Sequence, residues 1–255
     1  MNSSLFPVSR TAAAAFLAGM LAAPVHADTA TFSGIEMELL GVASVLQNGD
    51  LRLTPPTDGL TGGAWAVTPF STAESFYSTF TFRIEASDFD PMADGFAFVL
   101  QGSGTGTLGG TGGGIGYSGI DGVAAVVHTW DNNRLGLVTT DSPFDAPLAG
   151  IDLGSATLIT GTQTMTYDPT TTTLAWTAEL DVDGVVVTAS ETLTVDLSAR
   201  FGESFYAGFT SGTGLSYADH RITSWSLAPI PEPETYALFA AGLGLLAAAM
   251  RRRAR

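Results

Sequence analysis

The 255-residue chain has no cysteine and no lysine; all ten of its basic residues are arginines. The missing thiols exclude disulfides, zinc–thiolate sites and thiol catalysis, so stability has to come from the packed core. The missing lysines exclude a P-loop cation, Schiff-base chemistry and a polybasic nucleic-acid surface. Charged residues make up 14% of the chain against 45% hydrophobic ones, which fits a packed domain better than disorder. Between Asp28 and Ile230 there is also no amphipathic helical pattern as strong as the strand patterns.

What fills that span is alternation with a period of two. Phe76 to Glu85 alternates aromatic and polar residues, and Leu174, Trp176, Ala178, Leu180 and Val182 alternate with Ala175, Thr177, Glu179, Asp181 and Asp183. Phe96 to Leu100 and Val123 to Thr129 read as strongly apolar buried strands, while Asn48-Gly49 and Asp183-Gly184 predict hairpin turns. Short strands without a βαβ rhythm point to one all-β domain, an antiparallel sandwich or jelly roll buried between two sheets. One tract departs from this composition. Gln101 to Gly119 holds ten glycines and is predicted to be a surface loop whose backbone can approach a ligand closely.

The two ends read as addresses. Arg10, the apolar stretch Ala12 to Ala23 and Val25-His26-Ala27 have the layout of a secretory signal peptide over residues 1–27. At the other end, Pro231-Glu232-Pro233 precedes an apolar run from Tyr236 to Met250 and then Arg251, Arg252, Arg253 and Arg255. Fifteen residues of helix span only ~22 Å of a ~30 Å hydrocarbon core, and the arginines would stay cytoplasmic. Residues 231–255 resemble the PEP-CTERM sorting signal. That resemblance implies recognition and cleavage by an exosortase, after transient retention at the inner membrane by the C-terminal helix. It also implies delivery to the cell surface or an exopolysaccharide matrix of the kind found in biofilms. The intervening body, residues 28–230, keeps five arginines and 23 acids, a net charge of −18. Such a surface repels nucleic acid and anionic lipid and suits neutral ligands.

Within the body a set of motifs occurs in order: Leu51-Arg52-Leu53-Thr54, Phe80-Thr81-Phe82, Ala93-Asp94-Gly95-Phe96, the tract ending Gly112-Gly113-Gly114-Ile115-Gly116-Tyr117, Val123 to Trp130, and Gly208 to Gly214 through His220 to Trp225. Together they resemble the L-type (legume-type) lectin family, bacterial branch, over roughly residues 30–228. The resemblance implies the concanavalin A-like jelly roll with a carbohydrate site in loops at the rim of one sheet. It assigns Asp94, after a cis Ala93–Asp94 bond, as acceptor for two sugar hydroxyls. Gly112 and Gly113 become the backbone donor loop and Asn132 the amide donor. Gly212, Thr213, Gly214 and Leu215 form the loop that sets specificity. A neutral polyol needs such a fixed acceptor, fixed donors and an apolar platform; Trp130 or Tyr117 is the candidate platform, although Trp130 also reads as core.

The same resemblance implies calcium and a transition metal beside the sugar site, held by a Glu-x-Asp-Thr stretch before the Asn. Here that stretch is Val126-Val127-His128-Thr129, and Arg134 stands where a His is usual. Hard cations need several oxygen donors, and Asp131, Asn132 and Asp141 are those left nearby, a reduced Ca2+ site at most. No metal ligand is therefore assigned. Catalysis is not expected either. The laminarinase-type glycosidases share this fold, but Glu179-Leu180-Asp181-Val182-Asp183 lacks their final Glu and an apolar pocket, and Gly116-Tyr117-Ser118-Gly119 lacks the nucleophile-elbow spacing. Two functions remain: an exported glycan-binding protein, favoured by Asp94 and Asn132, or a structural matrix or adhesion protein that lost metal-dependent sugar binding, favoured by Val126 and His128.

Overall fold

The computed structural model describes residues 28–87, 91–130, 133–146 and 152–231. The signal peptide expected at 1–27, the apolar run and arginine cluster beyond 231, and Asn132 lie outside the described residues. In chain order the strands are β1 (Asp28–Phe32), β2 (Ile35–Gly41), β3 (Ser44–Val45), β4 (Leu51–Thr54), β5 (Thr61–Ala66), β6 (Phe70–Ser71), β7 (Phe76–Ala86) and β8 (Gly95–Gln101). After the glycine-rich tract come β9 (Gly122–His128), β10 (Arg134–Val138), β11 (Leu158–Asp168), β12 (Thr173–Val182), β13 (Val185–Thr194), β14 (Ser204–Gly212) and β15 (Ala218–Pro229). They form two antiparallel sheets. The front sheet runs β1-β2-β5-β14-β8-β9-β10 with β6 against the start of β14, and the back sheet runs β13-β12-β11-β7-β15-β4-β3.

The predicted alternation is seen in β12. Leu174, Trp176, Ala178, Leu180 and Val182 are buried while Thr177, Glu179 and Asp181 face out. Asp183 and Gly184, both at positive φ, make the turn into β13; an Asp-Gly pair tolerates this conformation, whose twist matches that of the paired strands. Between the sheets, Phe80, Phe82, Phe96, Phe98, Phe209 and Trp225 pack with ring centroids between 4.9 and 6.4 Å in offset and edge-on pairs. Each such buried ring contributes roughly 1.5–3 kcal/mol of transfer free energy, more than any surface ion pair supplies.

β8 and β9 are buried at every residue, which needs cover on both faces. Phe96, Phe98, Leu100, Val123, Ala125 and Val127 face the back sheet. Ala97, Val99, Ala124 and Val126 face the other way, into a second cluster with Leu40, Trp65, Ile115, Tyr117 and Ile120. The glycine-rich tract is a surface loop, as expected, but it folds back over the front sheet and buries Ile115 and Tyr117 there. A helix absent from the sequence reading, α1 (Leu197–Phe201), joins β13 to β14. It has five residues, too few to show a helical period, and its local marks are the N-cap Asp196, which accepts from Ala199 N at 2.9 Å, and the C-terminal Gly202 at positive φ. Among the described residues no helix is long and apolar enough to cross a membrane.

Candidate functional site

One row of residues crosses the front sheet at its end: Thr61 pairs with Gly212, Gly212 with Gly95, Gly95 with His128, and His128 with Arg134. The loops leaving β14 and β9 and the segment entering β8 consequently emerge side by side. Gly95 makes the row possible. Its φ is +126°, and a Cβ there would lie 2.1 Å from Val127 O, so a side chain would separate β8 from β9. The Ala93–Asp94 peptide is cis, as the resemblance implies.

Asp94 lies where the three segments converge. Its N–H donates to Gly212 O (3.2 Å) and its own carbonyl accepts from Thr129 N (2.9 Å), so its backbone ties the three converging segments together. Its side chain is only 3% exposed, and Oδ2 is buried without a hydrogen-bond partner. Burial pushes the carboxyl up to about 6, offset in part by the nearby Gly214 amide. A buried acceptor left unpaired costs roughly 1–3 kcal/mol, more when charged. A position built on Gly214 would lie 3.3 Å from Asp94 Oδ2 and 3.7 Å from Gly112 Cα; the carboxylate, the 112 backbone and the 214 backbone thus meet around one small space.

The glycine-rich tract is held at this space by its own polar residues. Gly112 N donates to Thr213 O (3.1 Å), and Thr111 Oγ1 donates to Leu60 O (2.9 Å). Thr213, a predicted site residue, turns its side chain inward: it is fully buried, donates to Thr57 O (2.7 Å) and accepts from Leu60 N (2.9 Å). Gly212 is likewise packed, with Gly112 O 2.9 Å from where its Cβ would be. Leu215 is 89% exposed at the rim. Of the predicted set, the structure therefore brings Asp94, Gly112 and Gly214 into direct proximity, keeps Gly113 beside them, makes Gly212 and Thr213 supports, and leaves Leu215 free.

The two aromatic candidates separate cleanly. Tyr117 is fully buried, and its hydroxyl sits between Gly122 O and Thr140 O with its one proton to donate between them, so it is core and offers no stacking face. Trp130 is 39% exposed, against its reading as core. It lines a shallow depression of about 330 Å³ with Pro91, Thr129, Asn133, Asp152, Gly154 and Ser155. Two larger depressions lie on the outer face of the back sheet among Thr81, Thr160, Thr162, Thr177 and Thr188. They are gaps between rows of exposed side chains, no predicted site residue lines them, and we do not place the site there.

A chain of buried polar groups supports Asp94 from behind and was not legible in the sequence. Ser211 Oγ donates to Gly95 O (2.8 Å). Its single proton is thereby used, so Thr54 Oγ1 donates to Ser211 Oγ (2.9 Å) and His220 Nδ1–H donates to Thr54 Oγ1 (2.8 Å). Burial holds His220 down at about 4, which keeps the ring neutral. The run from β15 through β4 and β14 to Gly95 thus fixes the residue after Asp94. It also aims the Ser211 proton at a carbonyl inside the core, an arrangement with no nucleophile to offer. Glu179 and Asp181 are exposed on β12, and Asp183 accepts from Thr157 N, Thr157 Oγ1 and Leu158 N, so this acidic run closes a turn and faces solvent.

The donor set does not suit the metals that the lectin resemblance implies. Val126 is buried among apolar side chains, and both ring nitrogens of His128 are turned on backbone carbonyls. Among the described residues no group of three His, Cys, Asp or Glu side chains is placed to hold an ion.

Comparison with known proteins bears on the fold and on the C-terminus. Residues 229–253 match the PEP-CTERM protein-sorting motif. A seed lectin of Lotus tetragonolobus is 24% identical, with a TM-score of 0.62 over 77% of this chain and 94% of that one. A lectin from Bauhinia forficata in complex with GalNAc is 26% identical, TM-score 0.63, over 76% and 92%. Arcelin-5, a lectin-like defence protein from Phaseolus vulgaris, is 23% identical, TM-score 0.65, over 77% and 93%. The body has the legume-lectin jelly roll, and the chain carries a PEP-CTERM sorting motif.

Proposed function

We propose that this is an exported carbohydrate-binding protein whose body, residues 28–230, binds a neutral glycan at Asp94. Residues 1–27 act as its signal peptide, and the segment 231–255 passes it to an exosortase at the inner membrane for delivery to the cell surface or exopolysaccharide matrix. The observation that carries the reading is the buried, unpaired carboxyl oxygen of Asp94 bounded by the bare backbones of Gly112 and Gly214. Sugar hydroxyls are the donors such an acceptor lacks, and they would recover part of the cost of leaving it unpaired. Gly113 lends backbone, Asn132 an amide, Trp130 an apolar face, and Leu215 the rim. The −18 charge of the body agrees with a neutral ligand. No catalytic step is assigned.

A second reading, a matrix or adhesion protein without sugar binding, is favoured by one observation, the loss of metal donors at Val126 and His128. A glycan array probed with and without chelator decides between them. Discrete glycan binding that survives chelation, and falls at least tenfold in a folded Asp94→Asn variant, is expected. A blank array supports the second reading, and unchanged binding in Asp94→Asn overturns the site.

A further inference from the structure

Although the donors for a metal pair are gone, the glycine-rich tract is still fastened to the end of β9, and the fastener is one side chain. His128 is fully buried. Its Nε2 lies 2.9 Å from Gly113 O, and its Nδ1 is hydrogen-bonded to Trp130 O. Each of these two atoms is a carbonyl oxygen, which only accepts. A neutral imidazole has one N–H and one lone pair, so it would satisfy one carbonyl and set a lone pair against the other; the imidazolium donates to both, and these two charge-assisted bonds oppose the burial penalty that keeps His220, with its single ring hydrogen bond to Thr54 Oγ1, neutral. Phe144 closes another side of the ring at 5.1 Å between centroids. A Cβ on Gly113 would come within 2.9 Å of Phe144 Cζ, so a side chain there would have to displace the Phe144 ring from the imidazole. Neighbouring charges are of both signs: Arg134 faces His128 across β10, and Asp94 precedes its partner Gly95 on β8.

We infer that His128 is a positioning residue held as an imidazolium, clasping the glycine-rich tract at Gly113 and the β9 exit at Trp130. A side-chain cation then stands where the lectin resemblance implies a bound metal, and it orders the backbone donors and the aromatic face for a neutral, hydroxyl-bearing ligand. The link to ligand binding rests on the proposed sugar site; the clasp itself does not.

The test uses the intact chain labelled with 15N-histidine. Its three histidines, His26, His128 and His220, are assigned by substitution. At pH 7, His128 should show two protonated ring nitrogens, whereas the neutral His220 shows one protonated and one bare. In His128→Leu, amide hydrogen exchange across residues 112–115 should accelerate at least tenfold with β8 and β14 unchanged, and glycan-array signals should fall in parallel. A bare ring nitrogen on His128 at pH 7, or unchanged exchange in a folded His128→Leu, overturns the inference. Should the variant fail to fold, the spectrum of the unaltered chain decides alone. A blank array beside an intact two-proton signature removes the sugar reading and supports the clasp.

Discussion

At the scale of single residues, Asp94 sets a conflict between stability and binding. Its carboxyl stands at about 6 in the folded chain against 3.8 ordinarily, chiefly because burial disfavours the charge. A raised folded pKa means that its contribution to stability is full below about pH 4 and is lost as pH rises through about 6. Two pH units correspond to roughly 3 kcal/mol, an upper figure for one buried group. Asp94→Asn should therefore melt higher than the unaltered chain at pH 8 and show little advantage at pH 4, which thermal melts at the two pH values will read. Binding runs the opposite way, because the ionised carboxylate is the better acceptor. Glycan affinity of the unaltered chain should weaken as pH falls through 6, and a flat titration between pH 8 and pH 5 would contradict Asp94 as the acceptor.

At the scale of elements, the glycine-rich tract behaves as a third layer. Ile115, Tyr117 and Ile120 give it an apolar underside against Ala97, Val99 and Val126 of the front sheet, while its glycines allow the backbone to turn at Gly112 and Gly116, both at positive φ. Truncating Ile120 to Ala leaves a cavity under this layer and should cost about 2–4 kcal/mol. Leu215→Ala, at the exposed rim, should stay within about 0.5 kcal/mol. Urea denaturation of the two variants checks the contrast. Equal costs would mean that the tract is not packed on the sheet.

At the scale of the whole molecule, charge and processing dominate. Few of the body's acids have a cationic partner available: Arg52 and Arg221 both grip Asp219 (2.5 and 2.6 Å), Arg200 grips Asp121 and Arg83 grips Glu85. Such a surface attracts free cations loosely, but a specific site filled at a hundred times its dissociation constant would add about 2.7 kcal/mol. Because Val126 and His128 offer no oxygen donor, chelation should move the melting temperature by no more than a degree or two. A drop of many degrees would reveal ligands in the segments outside those described. The sorting motif at 229–253 carries its own expectation: the exported product should end near Pro231. Intact mass that still includes Tyr236 to Met250 would argue for a permanent anchor.

How much of this was written in the chain follows from the range of each interaction. Period-two alternation in β7 and β12, the Asp183-Gly184 turn and the apolar runs of β8 and β9 are local, so the sequence by itself determined an all-β antiparallel body and its hairpins. Asp94, Gly112 and Gly214 were singled out only through the family resemblance that their ordered motifs carry, and local turn chemistry alone would not have joined them. The sequence could not decide which face an isolated apolar residue seeks. Tyr117 and Trp130 are both aromatic residues near glycine or polar neighbours, yet one is sealed under the glycine-rich tract and the other is exposed beside the site. Nor could it pair groups far apart in the chain. His220, Thr54, Ser211 and Gly95 lie on four strands, and His128 meets Gly113 only because the tract folds back over the front sheet. Tertiary structure alone decided those contacts, because a hydrogen bond is satisfied by whichever atom the packed core brings within about 3 Å, at any separation along the chain.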